Sequence, residues 1–188
     1  MLNYHENITS KASEVFYREG FLNVSVERII EYSGISRRTF YKYFNNKDDI
    51  ACAALNYRSD FFCREIDTAI SQCTSSHDVV CAVFEALIEW HRKQGFNGCL
   101  FQSAISQYGD DFSKIHDISA AHKEALNDRL VDAFTAVGSL QAKRLANSVM
   151  LLMEGATALG NFSAPIDQIK NAQSIAIQLT AAESEGEK

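Results

Sequence analysis

A single proline, Pro165, occurs in 188 residues, so almost nothing in the chain interrupts long helices. Alternation of β-branched and polar residues is absent over any useful length, which speaks against a half-buried sheet. The expected class is all-α. No segment approaches the roughly 18 uninterrupted apolar residues of a membrane span. The first residues, MLNYHENITSK, are polar where a secretory signal needs an apolar stretch. A cytoplasmic location is the expectation. Paired CxxC spacing is also missing. The five cysteines, Cys52, Cys63, Cys73, Cys81 and Cys99, are odd in number and scattered, which argues against a disulfide framework and against a structural metal. Reduced thiols are the default. A nucleophile motif, an oxyanion loop and any cofactor fingerprint are lacking too, so neither an enzyme nor a resident cofactor is expected.

What is present suits an ordinary folded chain: 46% apolar and 22% charged residues, with length enough for a real core. The net charge of −6 would by itself oppose a nucleic-acid partner, because phosphate repels a uniformly acidic surface. Its distribution reverses that reading. Residues 1 to 50 hold seven Lys/Arg and seven Asp/Glu, leaving eleven against seventeen for the remainder. Between Ile35 and Lys47 stand four basic residues, Arg37, Arg38, Lys42 and Lys47, and no acid. This is a local cationic patch on a neutral N-terminal unit.

Apolar spacing places a first helix over roughly 6 to 19, with Ile8, Ala12, Val15 and Phe16 on one face and Gly20 as its stop. Ser25 caps a short second helix carrying Val26, Ile29 and Ile30, which ends at Ser33-Gly34. Ser36 caps a third, Arg37 to Phe44, with Phe40 and Phe44 inward and Arg38, Thr39, Lys42 and Tyr43 more exposed. Asn45-Asn46 breaks it. A fourth helix runs from Lys47 to about Cys73 on a stripe of Ile50, Ala53, Ala54, Tyr57, Phe61 and Ile66. Further helices follow Ser76 up to Gly95, run from Cys99 to Tyr108, and run from about Phe112 to Val137. Ser139 to Gly160 is apolar almost all round near Val149 to Met153 and should be buried on more than one face. Pro165 opens a last helix reaching Leu179, and the charged tail ESEGEK is expected to fray.

Ser25 to Ile50, SVERIIEYSGISRRTFYKYFNNKDDI, has the layout of a helix-turn-helix: a short helix, a Gly-containing turn, and a second helix rich in Arg, Lys, Thr and Tyr. In a major groove Arg37 or Arg38 can reach guanine edges and Thr39 a thymine methyl. Tyr41, Lys42 and Lys47 suit phosphate oxygens. The helix starts at Ser25 and Lys47 add backbone N–H groups and positive dipole ends. Ser36 and Tyr43 complete the candidate DNA-binding set. For Val26, Ile29, Phe40 and Phe44 the reading is core packing.

This segment resembles the TetR family signature. Ser25 stands at the usual Thr/Ser, and Ile29 and Gly34-Ile35-Ser36 form the turn region. Phe40-Tyr41 and Tyr43-Phe44 lie in the recognition helix, and Lys47 opens the next. The likeness covers about 45 residues, Gly20-Phe21 included. It departs from the pattern at Ile30 and Ser33, where alanines are common, and at Arg38, where a small residue is common. The resemblance implies a DNA-binding domain over 1–46, helix four from 47 as connector, and an effector-binding and dimerisation domain over 47–188. It implies a ligand-responsive repressor that binds a pseudo-palindromic operator in double-stranded DNA as a homodimer.

Within the second half, Gly95-Phe96-Asn97-Gly98-Cys99-Leu100-Phe101 is similar to a Gly-Cys element of one branch of the family. Cys99 at a helix N-terminus is a candidate for electrophile or redox sensing; a packed small hydrophobe is the other reading. Trp90, His91, Cys99, Phe101, Tyr108 and His122 are the candidate ligand-binding residues, with His116 nearby in sequence. His122 lies on an apolar face with no second metal ligand at useful spacing, so no metal is expected. The last two helices resemble the family's dimerisation bundle. Leu145, Val149, Leu152, Met153, Ala156 and Leu159 form one stripe, and Ile169, Ala172, Ile175, Ala176 and Leu179 the other; an intrachain core is the alternative. Two other functions remain open: a thiol enzyme using Cys99 with His91 or His122 as base, and a ligand sensor without DNA affinity.

Overall fold

The computed structural model describes residues 4–109 and 113–185. Among them are nine α-helices and no strand: α1 (Tyr4–Glu19), α2 (Val26–Ser33), α3 (Arg37–Tyr43), α4 (Lys47–Ile70), α5 (Ser76–Gln94), α6 (Leu100–Tyr108), α7 (Ser113–Ala136), α8 (Ala142–Gly160) and α9 (Pro165–Glu185). The all-α class follows from the sequence as expected. Helix boundaries show where side chains compete with the helix ladder. α4 stops at Ile70, short of Cys73, because the Ser71 hydroxyl donates to the Thr68 carbonyl at 2.8 Å and closes the last turn. α5 is capped by Ser75, one residue before the expected Ser76. The Asp78 amide donates to Ser75 Oγ at 3.1 Å, and the Thr74 amide, one residue before the cap, to Asp78 Oδ2 at 3.3 Å, so the two side chains close the helix start.

α8 begins at Ala142, because Ser139 to Gln141 turn out of the helix after Gly138, whose φ of 85° suits only glycine. At the other end, α9 continues to Glu185, so Glu183 to Glu185 are helical where fraying was expected. Phe112, the expected start of α7, and the final residues of the tail lie outside the described residues. No helix among those described is long and apolar enough to cross a membrane.

The chain divides into two compact units. One comprises Met1–Phe62 with Cys99–His122, the other Cys63–Gly98 with Lys123–Lys188. The first therefore takes in, beyond the expected 1–46 segment, the first four turns of α4, all of α6 and the start of α7. Its core is built on Phe16 stacked on Phe21 at 4.5 Å and Phe40 against Phe44 at 5.6 Å. An arginine is buried in the same unit. Arg58 on α4, not anticipated from the pattern, is only 6% exposed. It donates through Nε to Ser13 Oγ at 3.0 Å and through Nη2 to the Ser13 carbonyl at 3.2 Å, and lies over the Tyr17 ring at 4.9 Å. Burial pulls its guanidinium down to about 10, the direction expected when a cation is desolvated.

In the second unit α9 packs against both α8 and α5. The expected dimer stripes turn out to be mostly internal: Leu145, Val149, Met153, Ala156, Ile169, Ala172 and Ala176 are all buried within the single chain. Nor is the Val149–Met153 stretch covered all round, since Leu151 is 75% exposed. Gly160 permits a close approach here, for a Cβ would meet the Phe96 ring at 2.5 Å.

Candidate nucleic-acid interface

The α2–turn–α3 geometry grows from three small residues. Ser25, in extended backbone, accepts the Arg28 amide on its Oγ at 3.1 Å and starts α2. Gly34, with φ 65° and ψ 32°, takes the left-handed conformation that ends it, its amide bonding to Glu31 O and that of Ile35 to Ile30 O. Ser36 accepts the Thr39 amide at 3.1 Å and starts α3. Phe40 is fully buried and Phe44 nearly so. These two rings fix the rotation of α3, leaving Ser36, Arg37, Arg38, Tyr41 and Lys42 exposed and Thr39 and Tyr43 half-buried.

Asn45-Asn46, read from sequence as a breaker, is also a second capping device. Asn46 Oδ1 accepts the Asp49 amide at 2.8 Å, while Asp49 Oδ2 accepts from the Asn45 amide at 3.0 Å and from its Nδ2 at 2.7 Å. These bonds from Asn45 hold the Asp49 carboxyl below the usual carboxylate range. α4 therefore opens on Lys47 with Asp49 turned back onto the preceding loop.

Charge is sorted across this surface. Arg28 is held by Glu19 at 2.7 Å and Glu31 at 3.3 Å, and Lys11 by Glu14 at 3.1 Å. Arg37 pairs with Glu27 of α2, a partner the sequence reading did not provide for a base-reading arginine. Among the described residues no ion pair involves Arg38, Lys42 or Lys47. Glu14, Glu19, Glu27 and Glu31 of α1 and α2 are thus occupied by cations beside them, while Arg38, Lys42 and Lys47 are left for phosphate, whose attraction acts most strongly on such charges.

The candidate ligand residues separate into groups. Cys99, Phe101 and His122 belong to the first unit. Phe101 stacks on His122 at 3.8 Å, and His122, buried, shares a 2.9 Å hydrogen bond between its Nδ1 and Ser59 Oγ. Ser59 was missed by the sequence reading because it sits on the polar side of the α4 stripe. Cys99 is half-buried at the N-cap of α6, and its thiol does not cap the helix. Burial pushes the Cys52, Cys73 and Cys81 thiols up. Tyr108 lies at the far end of α6 against Phe21, away from Cys99, and His116 is exposed.

Trp90, half-buried, and His91 are on α5 in the second unit. His91 packs on Phe96 at 4.4 Å. An open groove of about 660 Å³ on that unit is lined by Lys123, Asn127, Asn147, Met150 and Leu151 among others, and none of the candidate aromatics reaches it. No three His, Cys, Asp or Glu residues among those described stand together as metal ligands.

His91 supplies a pH prediction. Burial pulls its imidazole from the usual 6.5 down to about 4, opposed in part by a backbone hydrogen bond with Gly95. The unfolded chain takes up a proton near pH 6.5 and the folded chain only near 4, so this contribution to stability is intact above 6.5 and is lost as pH falls through that window. At about 1.4 kcal/mol per pH unit the expected loss by pH 4 is about 3 kcal/mol. Urea unfolding at pH 7 and pH 4.5 measures it, and His91→Gln should flatten the difference.

Residues 8–54 match the family model for bacterial regulatory proteins of the tetR family. The matched segment is similar to the N-terminal DNA-binding segment of the TetR family. The regulator YjdC of Escherichia coli K12 is 23% identical over 153 residues, covering 80% of this chain and 79% of its own length. The transcriptional activator FasR of Mycolicibacterium smegmatis is 24% identical over 166 residues, covering 84% and 72%. The fold extends beyond the matched segment. The crystal structure of the TetR-family regulator SCO4454 from Streptomyces coelicolor superposes with a TM-score of 0.82 at 23% identity, over 94% of this chain and 95% of that one. These relatives are transcriptional regulators, which speaks against the thiol-enzyme reading.

Proposed function

We propose that this TetR-family protein is a cytoplasmic repressor that grips a pseudo-palindromic operator as a homodimer and is released by a small molecule or by modification of Cys99. The observation that carries the reading is α3 itself: a helix pinned from beneath by Phe40 and Phe44, with Arg38, Tyr41 and Lys42 exposed and the neighbouring acids neutralised. On DNA, Arg38 reads a guanine edge and Thr39 a thymine methyl, while Ser25, Ser36, Tyr41, Lys42, Tyr43 and Lys47 serve phosphates. Arg37 works from its pairing with Glu27, as a contact shared between α2 and the base edge.

Four exposed apolar residues support the dimer: Leu151 and Leu159 on α8, Phe162 just after it, and Ile175 on α9. A lone chain gains by covering such a surface, and a dimer on a pseudo-palindromic operator carries its two reading helices about one DNA turn, roughly 34 Å, apart. The dimer face is then the outer side of α8 and α9 and not the stripes that pack inside the chain. Phe101, His122 and Ser59 stand together, and we assign effector contact to that group and to Cys99, two residues before Phe101.

Fluorescence anisotropy with duplex DNA from the region upstream of its own gene tests the reading. Binding should be tight and log K should fall steeply with log salt; absent or salt-insensitive binding overturns it. Transcription in vitro from the same promoter decides the sign, which matters because FasR is an activator. Faster alkylation of Cys99 without DNA than with it is the expected mark of a coupled thiol.

A further inference from the structure

The end of α6 holds the corner from which α2 begins. Gln107 Oε1 accepts the Leu22 amide at 2.8 Å, and Gln107 Nε2 donates to Ser103 Oγ at 2.6 Å one turn earlier on the same helix. The second bond fixes the carboxamide that makes the first. Gly20 shapes the other side of the contact. Its φ of 81° turns the chain out of α1, and a Cβ there would meet Gln107 Oε1 at 3.2 Å, so the bare glycine leaves room for the carboxamide to seat.

The adjoining residue grips the same corner. The Tyr108 ring stands edge-on to Phe21 at 5.7 Å, and Phe21 is buried against Phe16. Leu22 itself is 70% exposed, so burial does not fix the direction in which its amide points; the Gln107 bond does. Tyr108 also lies beside Asp48 in the first turn of α4, and burial together with that carboxylate pushes its phenol well above the usual range.

One helix end therefore touches both helix starts at which the chain meets phosphate under the reading above. Leu22 stands three residues before Ser25, the N-cap of α2, and Asp48 directly follows Lys47, the first residue of α4. The separation of two anchors on a phosphate backbone is a matter of ångströms, and an anchor on a solvent-exposed corner holds it only if something fixes that corner. We propose that Gln107 is a positioning residue for DNA binding, which fixes the α1–α2 corner so that the start of α2 meets the phosphates at the spacing set by the start of α4. This rests on the DNA-binding reading, but no part of the resemblance that led there points to Gln107.

Gln107→Met keeps the length of the side chain and removes both hydrogen bonds, and Ser103→Ala leaves the carboxamide but frees it. With the full-length protein, hydrogen exchange of the Leu22 amide should rise about tenfold in Gln107→Met, equivalent to about 1.4 kcal/mol of a lost bond, and by an intermediate factor in Ser103→Ala. In anisotropy titrations over a range of salt, on duplex DNA from upstream of its own gene, Gln107→Met should bind about tenfold more weakly. Its slope of log K against log salt should be shallower by about one to two, since each lost phosphate contact removes about 0.9. A surface hydrogen bond of purely structural value would not move that slope. A parent protein that binds while Gln107→Met keeps the same affinity and slope overturns the inference alone, as does a Leu22 amide that exchanges equally fast in both. A parent that does not bind DNA removes the reading beneath it as well.

Discussion

Replacing Arg37 and Arg38 together by Ala is expected to abolish specific DNA binding while leaving the helical fold intact. Both side chains are exposed and neither contributes to the Phe40–Phe44 core, so circular dichroism and the melting temperature should change little. A bidentate base contact is worth about 1–3 kcal/mol of discrimination, and a dimer makes each contact twice, so specific affinity should fall by at least about 100-fold. The two single variants should not be equal. Arg37 already has Glu27 as a partner, and removing it forfeits a contact but also frees an acid near the DNA. Arg38 has no ion pair among the described residues, so Arg38→Ala should lose sequence preference with little change elsewhere. Glu27→Gln separates the two, because it releases Arg37 without removing it. Competition titrations with specific and unrelated duplexes measure each difference. Unchanged specificity in the double variant would remove α3 from the DNA-reading role.

The second large effect is expected at Leu151. It stands mid-way along α8, three-quarters exposed, while Val149 and Met153 on either side point into the chain. Leu151→Glu leaves the internal packing of α8 against α9 untouched but, on the proposed dimer, sets two carboxylates facing each other across the two-fold interface. A buried, unpaired charge costs about 3–5 kcal/mol, enough to turn a dimer into a monomer at micromolar concentration. Light scattering should then report the mass of one chain, and DNA affinity should fall by more than about 100-fold because one half-site alone binds weakly. A variant that remains dimeric would place the interface elsewhere than on this face.

Local chemistry was legible wherever one or two residues decide a backbone state. Ser25 and Ser36 cap as read, Gly34 takes the left-handed turn, and Phe40 and Phe44 pack inward, because capping and glycine conformation depend on atoms within three or four positions. The offsets at Ser75 and Ala142 are of the same local kind; in each a neighbouring serine or threonine took a bond that the pattern had given to the helix. Pairings across distance were not legible. Nothing in the spacing of Glu27 and Arg37, ten positions apart, or of Leu22 and Gln107, eighty-five apart, marks them as partners. Glu27, Arg37 and Gln107 are polar side chains and Leu22 pairs through its backbone amide, so no hydrophobic periodicity reveals these partners.

α8 shows the division most clearly. Composition and spacing determined that it is an apolar helix with more than one oily face, as they determined the helix-turn-helix, its cationic patch and the all-α class. Which face is spent inside the chain was decided only by packing: α9 packs on α8, the side of Leu145, Val149 and Met153 is buried, and Leu151 and Leu159 are left outside. The physical reason is that a hydrophobic residue carries the drive for burial but no address. The drive is proportional to area and without direction, so the sequence determines how much must be covered, and the tertiary structure decides by what.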